Sequence, residues 1–110
     1  MTVAQEGPPQ IRFPRTLRTV GDLYQLWRHG LALMSSVDKL ERRWGPWWRL
    51  RSERQLFSTR KVVMDEVVRL AAVRGWSEED AVRELEKQRI DGGNLSFDGL
   101  ARQLKAARRV

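Results

Sequence analysis

The sequence predicts an all-α protein, a compact single domain of about five helices packed around a central third one. Three observations predict it. Five Ser- or Thr-led helix starts are spread along 110 residues, each followed by residues suited to a first helical turn. Apolar residues after them recur at three- and four-residue intervals. Sustained alternation of apolar and polar residues, the mark of a half-buried strand, occurs nowhere. The length suits one core and is too short for two.

Residues 1–12, with Gly7, Pro8 and Pro9, read as a disordered arm, with order expected to begin at Ile11 or Phe13, and residues 13–107 as the helical domain. Thr19 precedes VGDLYQLWRHGL, where Val20, Leu23, Tyr24, Trp27 and Leu31 form an apolar stripe and Gly30 frays the end. Ser35 or Ser36 opens a shorter second helix with Val37, Leu40 and Trp44 inward, stopped by Gly45 and Pro46. Residues 45–57 read as irregular. Ser58 reads as the cap of the third helix, with Phe57 and Val62 placed as a hydrophobic staple, so Arg60 and Lys61 fall in its first turn. Nine of the twelve residues from Val62 to Val73 are apolar, which leaves Asp65, Glu66 and Arg69 as a polar stripe and makes this helix the central one. Gly75 ends it. Trp76 and Ser77 repeat the staple and cap, with Asp80 in the first turn, and the fourth helix runs to about Ile90. DGGN is a turn, after which Leu95 and Ser96 open a last helix with Phe97, Leu100, Ala101 and Leu104 inward.

Several function classes lack their chemistry. There is no cysteine and a single histidine, His29, so neither a thiolate nucleophile nor a zinc cluster can be assembled, and a reducing intracellular setting fits. The carboxylate pairs in MDE and SEED fall on a polar stripe and in a first turn, where solvation and the helix dipole account for them. No Gly-rich phosphate loop, signal peptide or membrane-length apolar run is present. The reading is therefore no enzyme, no cofactor, no metal, no small-molecule substrate and no membrane partner.

What remains is charge. The net charge is +7, and it is concentrated: residues 42–61, RRWGPWWRLRSERQLFSTRK, carry seven basic groups against one acidic, whereas residues 62–98 are net acidic. A block of cations beside an acidic segment reads as one face for a polyanion. The large aromatics of this block, Trp44, Trp47, Trp48 and Phe57, are expected in the core rather than stacked on bases. Its cations are expected to contact double-stranded DNA, with Arg42, Arg43, Arg49, Arg51, Arg54, Ser58, Arg60 and Lys61 as the candidate site. Arg60 and Lys61 in a first turn would be disfavoured by the helix dipole unless an anion compensated, and free amides beyond Ser58 would add to its binding. Arg49, Arg51, Arg54 and Arg60 are the candidates for reading guanine edges. The basic tail, Arg102, Lys105, Arg108 and Arg109, offers a second backbone clamp, and Arg12 and Arg15 are a fallback for sequence reading.

The series TVGDLYQLW, SSVDKLERRWGPWWR, FSTRKVVMDEV, WSEEDAVRELEKQR and NLSFDGL, in this order from Thr19 to about Leu104, resembles the C-terminal DNA-binding domain of the fungal activators of glycolytic genes, a Gcr-type domain. Related domains occur in stress-response activators and in some mobile-element tyrosine recombinases. The resemblance implies sequence-specific DNA binding and a nuclear location. It places contacts in ERQLFSTRK, at Arg54, Ser58, Arg60 and Lys61, with Trp27, Trp44 and Trp48 as scaffold. LALMSSV departs from the Gly/Pro-containing connection expected in relatives. Two other readings stay open at this stage: the accessory DNA-binding part of a recombinase, and a helical protein-interaction module.

Overall fold

The computed structural model describes residues 11–31 and 34–108. Five helices appear among them: α1 Val20–Arg28, α2 Val37–Trp44, α3 Arg54–Arg74, α4 Glu78–Asp91 and α5 Phe97–Arg108. The 21-residue α3 is central and packs against α1, α4 and α5. Val63, Met64, Val67 and Leu70 supply its buried face. They meet Val20, Leu23, Leu26 and Trp27 of α1, Ala81 and Leu85 of α4, and Leu100 and Leu104 of α5 in one core.

Most starts follow from their caps. The Thr19 hydroxyl accepts from the Asp22 amide at 3.0 Å while the Asp22 carboxylate accepts from the Thr19 amide, a reciprocal box that opens α1. Ser36 accepts from Lys39 and opens α2, and Ser77 accepts from Asp80 and opens α4. Ser96 accepts from Gly99 just before α5. Gly75 ends α3 in the left-handed region, φ 68°, with its amide donating to the Ala71 carbonyl.

The third start departs from expectation. α3 begins at Arg54, four residues before Ser58, so Ser58 is an exposed mid-helix residue and caps nothing, and Arg60 and Lys61 lie in the second turn. Residues 45–57 are not irregular either: Gly45–Trp48 and Arg51–Glu53 form two short 3-10 turns, and the second runs straight into α3. The reason is packing. An N-cap is worth about 1 kcal/mol. Phe57, placed helically, enters a cluster with Phe13, Trp27 and Trp48 at ring separations of 5.5–6.0 Å, a larger gain than a cap supplies.

Ile11 pairs with Arg49 in an isolated parallel bridge and packs on the core, and Phe13 is buried; residues 1–10 lie outside the described residues. Two further expectations are corrected. Glu66, expected on a polar stripe, is buried and paired with Arg69 and Arg108, while Val68 and Val73 are exposed. Of the SEED carboxylates, Glu79 and Asp80 are exposed and only Glu78 is half-buried. Glu78 accepts from the Tyr24 hydroxyl and from Arg28, which also reaches Asp38, so one arginine ties α1, α2 and α4 together. Burial disfavours the charge on Arg28, but the hydrogen bonds it donates to Asp38 and Glu78 outweigh it and hold its pKa above the ordinary value.

Candidate functional site

The site is built where α2 hands over to α3. Gly45 takes φ 58° and ψ −134°, a conformation open to glycine, and Pro46 follows in the first 3-10 turn. With about three residues per turn, neighbours in such a turn point apart. Trp48 goes fully inside and its indole N–H donates to Glu41, whereas Trp47 is 75% exposed, against the expectation that it would be core. Glu41 also receives two guanidinium N–H groups of Arg49, whose planar head lies 4.0 Å from the centre of the Phe57 ring. The first turn is thus tied to α2 below and to α3 behind.

The second turn is anchored from the other side. Glu53, 2% exposed, turns its carboxylate inward to accept from the Phe13 amide at 2.8 Å and from both guanidinium nitrogens of Arg15. Arg15, with help from the Phe13 amide and against the cost of burial, holds this carboxyl down at about 2. Because Glu53 is spent inward, the start of α3 has no side-chain cap and no acidic residue in its first turn.

Between these anchors lies a hollow of about 540 Å³. Pro46, Leu50 and Phe57 give it apolar walls, and Arg49, Arg51, Arg54, Ser58 and Lys61 give it polar ones. Arg54, Ser58 and Lys61 stand at i, i+4 and i+7 of α3 and therefore share one face. Four cations with no carboxylate in the lining repel one another in the free protein. Arg49 is committed to Glu41, and Lys61 to Asp65 at 3.0 Å, an exposed pair of little net strength. Arg51 and Arg54 are exposed and make no side-chain hydrogen bond or ion pair among the described residues.

Five of the eight candidates thus come together. Arg42 and Arg43 sit outside the hollow on the last turn of α2, both exposed; Arg42 reaches the Asp38 carbonyl and Arg43 stacks over Trp44 at 5.0 Å. Arg60 points the other way. It is 3% exposed, donates one N–H to the Pro14 carbonyl at 2.9 Å, and lies between the rings of Phe13 and Phe97, 5.5 Å from each. Among the described residues its Nε and Nη1 have no hydrogen-bond acceptor. Burial, reinforced by nearby Arg15, pushes its pKa down to about 10, so it stays charged at neutral pH. Of the basic tail, Arg108 reaches Glu66 at 3.4 Å, and Arg109 lies outside the described residues. Sequence reasoning missed Glu41 and Glu53, the two acids that organise the basic segment. The signal was there for Glu53, the lone acidic residue in a window of seven cations.

No helix among the described residues is long and apolar enough to cross a membrane. No curated protein and no solved structure matches the chain. A family model does: residues 11–89 match the one described as "Transcriptional activator of glycolytic enzymes". That match takes in the aromatic cluster, both 3-10 turns, all of α3 and most of α4, well over half of the chain, and the protein belongs to the family of transcriptional activators of glycolytic enzymes.

Proposed function

We propose that this domain binds double-stranded DNA in a sequence-specific manner, as the DNA-binding part of a nuclear transcription activator, by seating the duplex backbone against the hollow between the 3-10 turns and α3. The observation that carries the reading is the placement of Arg51 and Arg54: exposed, without carboxylate partners among the described residues, at a helix start that has neither side-chain cap nor acid in its first turn. A cation in a first helical turn is disfavoured by the macrodipole, and a phosphate there relieves both that and the mutual repulsion of the four cations. Ser58 adds a hydroxyl donor on the same face. Lys61 exchanges a weak surface pair for a phosphate. Arg42 and Arg43 extend the positive surface along α2.

Roles divide by chemistry. Lys61 is a flexible point charge and Ser58 carries no fork, so both position the domain. Arg51 and Arg54 have free planar heads able to grip guanine N7 and O6 together, and they are the residues assigned to sequence reading. Arg49 and Arg60 belong to the scaffold instead, the first held by Glu41 and Phe57, the second buried.

The test begins with a selection of bound sites from random duplexes, followed by titrations of the selected and a scrambled duplex at several salt concentrations. Log affinity should fall linearly with log salt, by about 0.9 per phosphate contact. Lys61→Ala should weaken both duplexes alike and lower the slope by about one unit. Arg54→Lys should lose about 1–3 kcal/mol on the selected site and much less on the scrambled one. A salt-independent response, or no enrichment in the selection, would remove this reading.

A further inference from the structure

We infer that Trp47 is an apolar DNA contact at the rim of the basic hollow, its indole packing against sugar and base-edge atoms beside the backbone phosphates seated in that hollow. This rests on the DNA-binding reading above and goes beyond it, since a charge-led account gives Trp47 no role.

Four features carry it. Trp47 is 75% exposed, the most exposed of the large apolar side chains among the described residues, and no other ring stacks on it. Single exposed apolar residues are ordinary on flexible surface, but this one sits on a backbone pinned on every side. Gly45 and Pro46 fix its entry. Trp48, fully buried and hydrogen-bonded to Glu41, fixes its exit, and the Arg49 backbone is bridged to Ile11. An aromatic side chain loses little freedom when its backbone is already held, which is what makes rigid tryptophans strong interface anchors. Third, Pro46 forms part of the hollow's wall, so the Trp47 backbone leaves directly from that wall, with the indole outside the lining. Finally, exposed Arg42 and Arg43 lie on the turn of α2 just before it. A surface that is cationic on both sides of a projecting indole is complementary to a groove wall, where apolar sugar and base edges lie between rows of phosphate.

Apolar burial releases no counterions, so the contribution of Trp47 should be independent of salt. The experiment compares the native protein, Trp47→Ala, Trp47→Phe and Lys61→Ala in anisotropy titrations of a labelled duplex over a series of salt concentrations, with a thermal melt of each. Trp47→Ala should bind about 10- to 100-fold more weakly at every salt concentration, with an unchanged log–log slope and an unchanged melting midpoint. Trp47→Phe should recover most of the loss. Lys61→Ala should instead lower the slope. If Trp47→Ala binds within twofold of the native protein while Lys61→Ala is impaired, the inference is overturned and the DNA reading stands. A fall in midpoint that accounts for the loss of binding would place Trp47 in the fold and likewise overturn it. If the native protein shows no salt-dependent binding at all, both readings fall together.

Discussion

Glu53 and Arg60 are both buried charges seven residues apart, yet their surroundings give them opposite energetic signs. Glu53 is fully served by the Phe13 amide and Arg15, and its carboxyl titrates near 2 rather than at 4.5. A carboxyl depressed in the folded state contributes stability that is present above pH 4.5 and is lost as pH falls from there through about 2. Glu53→Gln should therefore cost about 3 kcal/mol at pH 7, and the gap between the two melting midpoints should close as pH is lowered through that window. Arg60 has one hydrogen bond and two aromatic faces in place of its hydration shell. A buried cation so poorly paired is replaceable by an apolar chain of similar length, and Arg60→Met should melt at the same temperature or higher while binding DNA within about twofold of the native protein. None of this was legible in FSTRK. Arg60 and Lys61 are adjacent cations in the sequence, and one helical step of about 100° sends one into the core and the other to the surface.

At the scale of elements, the sequence was readable wherever a cap and an apolar stripe agreed. Thr19, Ser36 and Ser77 open helices where their side chains say they should. Ser58 offered an equally good local signature and was overruled, because the aromatic cluster that draws Phe57 inward is assembled from residues 13, 27, 48 and 57, and separations of that size leave no local trace. The turns before α3 were invisible for the same reason. Their stability resides in Glu41, Glu53 and one backbone angle. Gly45→Ala should cost about 1–3 kcal/mol from backbone strain alone, since an added methyl group meets nothing within 4 Å, and a lowered melting midpoint checks it. The first turn of α4 gives a paired test. Glu78→Gln, which weakens the tie to Arg28 and Tyr24, should cost about 1–2 kcal/mol, whereas the exposed Glu79→Gln should change the melt by less than about 0.5 kcal/mol. Neither should alter DNA affinity by more than a small factor.

Across the whole molecule, charge is sorted. The basic block gathers at the hand-over from α2 to α3, and two of the acids of α4 are turned to internal work: Glu78 holds Arg28, and Glu86 accepts from the Val20 amide and from Arg89. The sorting itself was legible in the charge windows, but the internal duties of the acids were not, because they depend on which helices become neighbours. The segment from Ile11 to Leu17 adds a different kind of consequence. Phe13 and Arg15 meet Glu53, and Pro14 meets Arg60, across 38 to 46 residues of chain. Bringing together ends that far apart costs about 3 kcal/mol of loop-closure entropy, which must be met before the contacts return anything. The segment from Ile11 to Leu17 therefore finds its place only after α3, which follows it in the chain, has been made. Until then α1 and α2 can form and Glu41 can hold the first turn, but the second turn lacks the anchor that Phe13 and Arg15 give Glu53. The surface that presents Arg51 and Arg54 is, on this account, a late product of folding, completed when the segment from Ile11 to Leu17 is laid down beside the turns that precede α3.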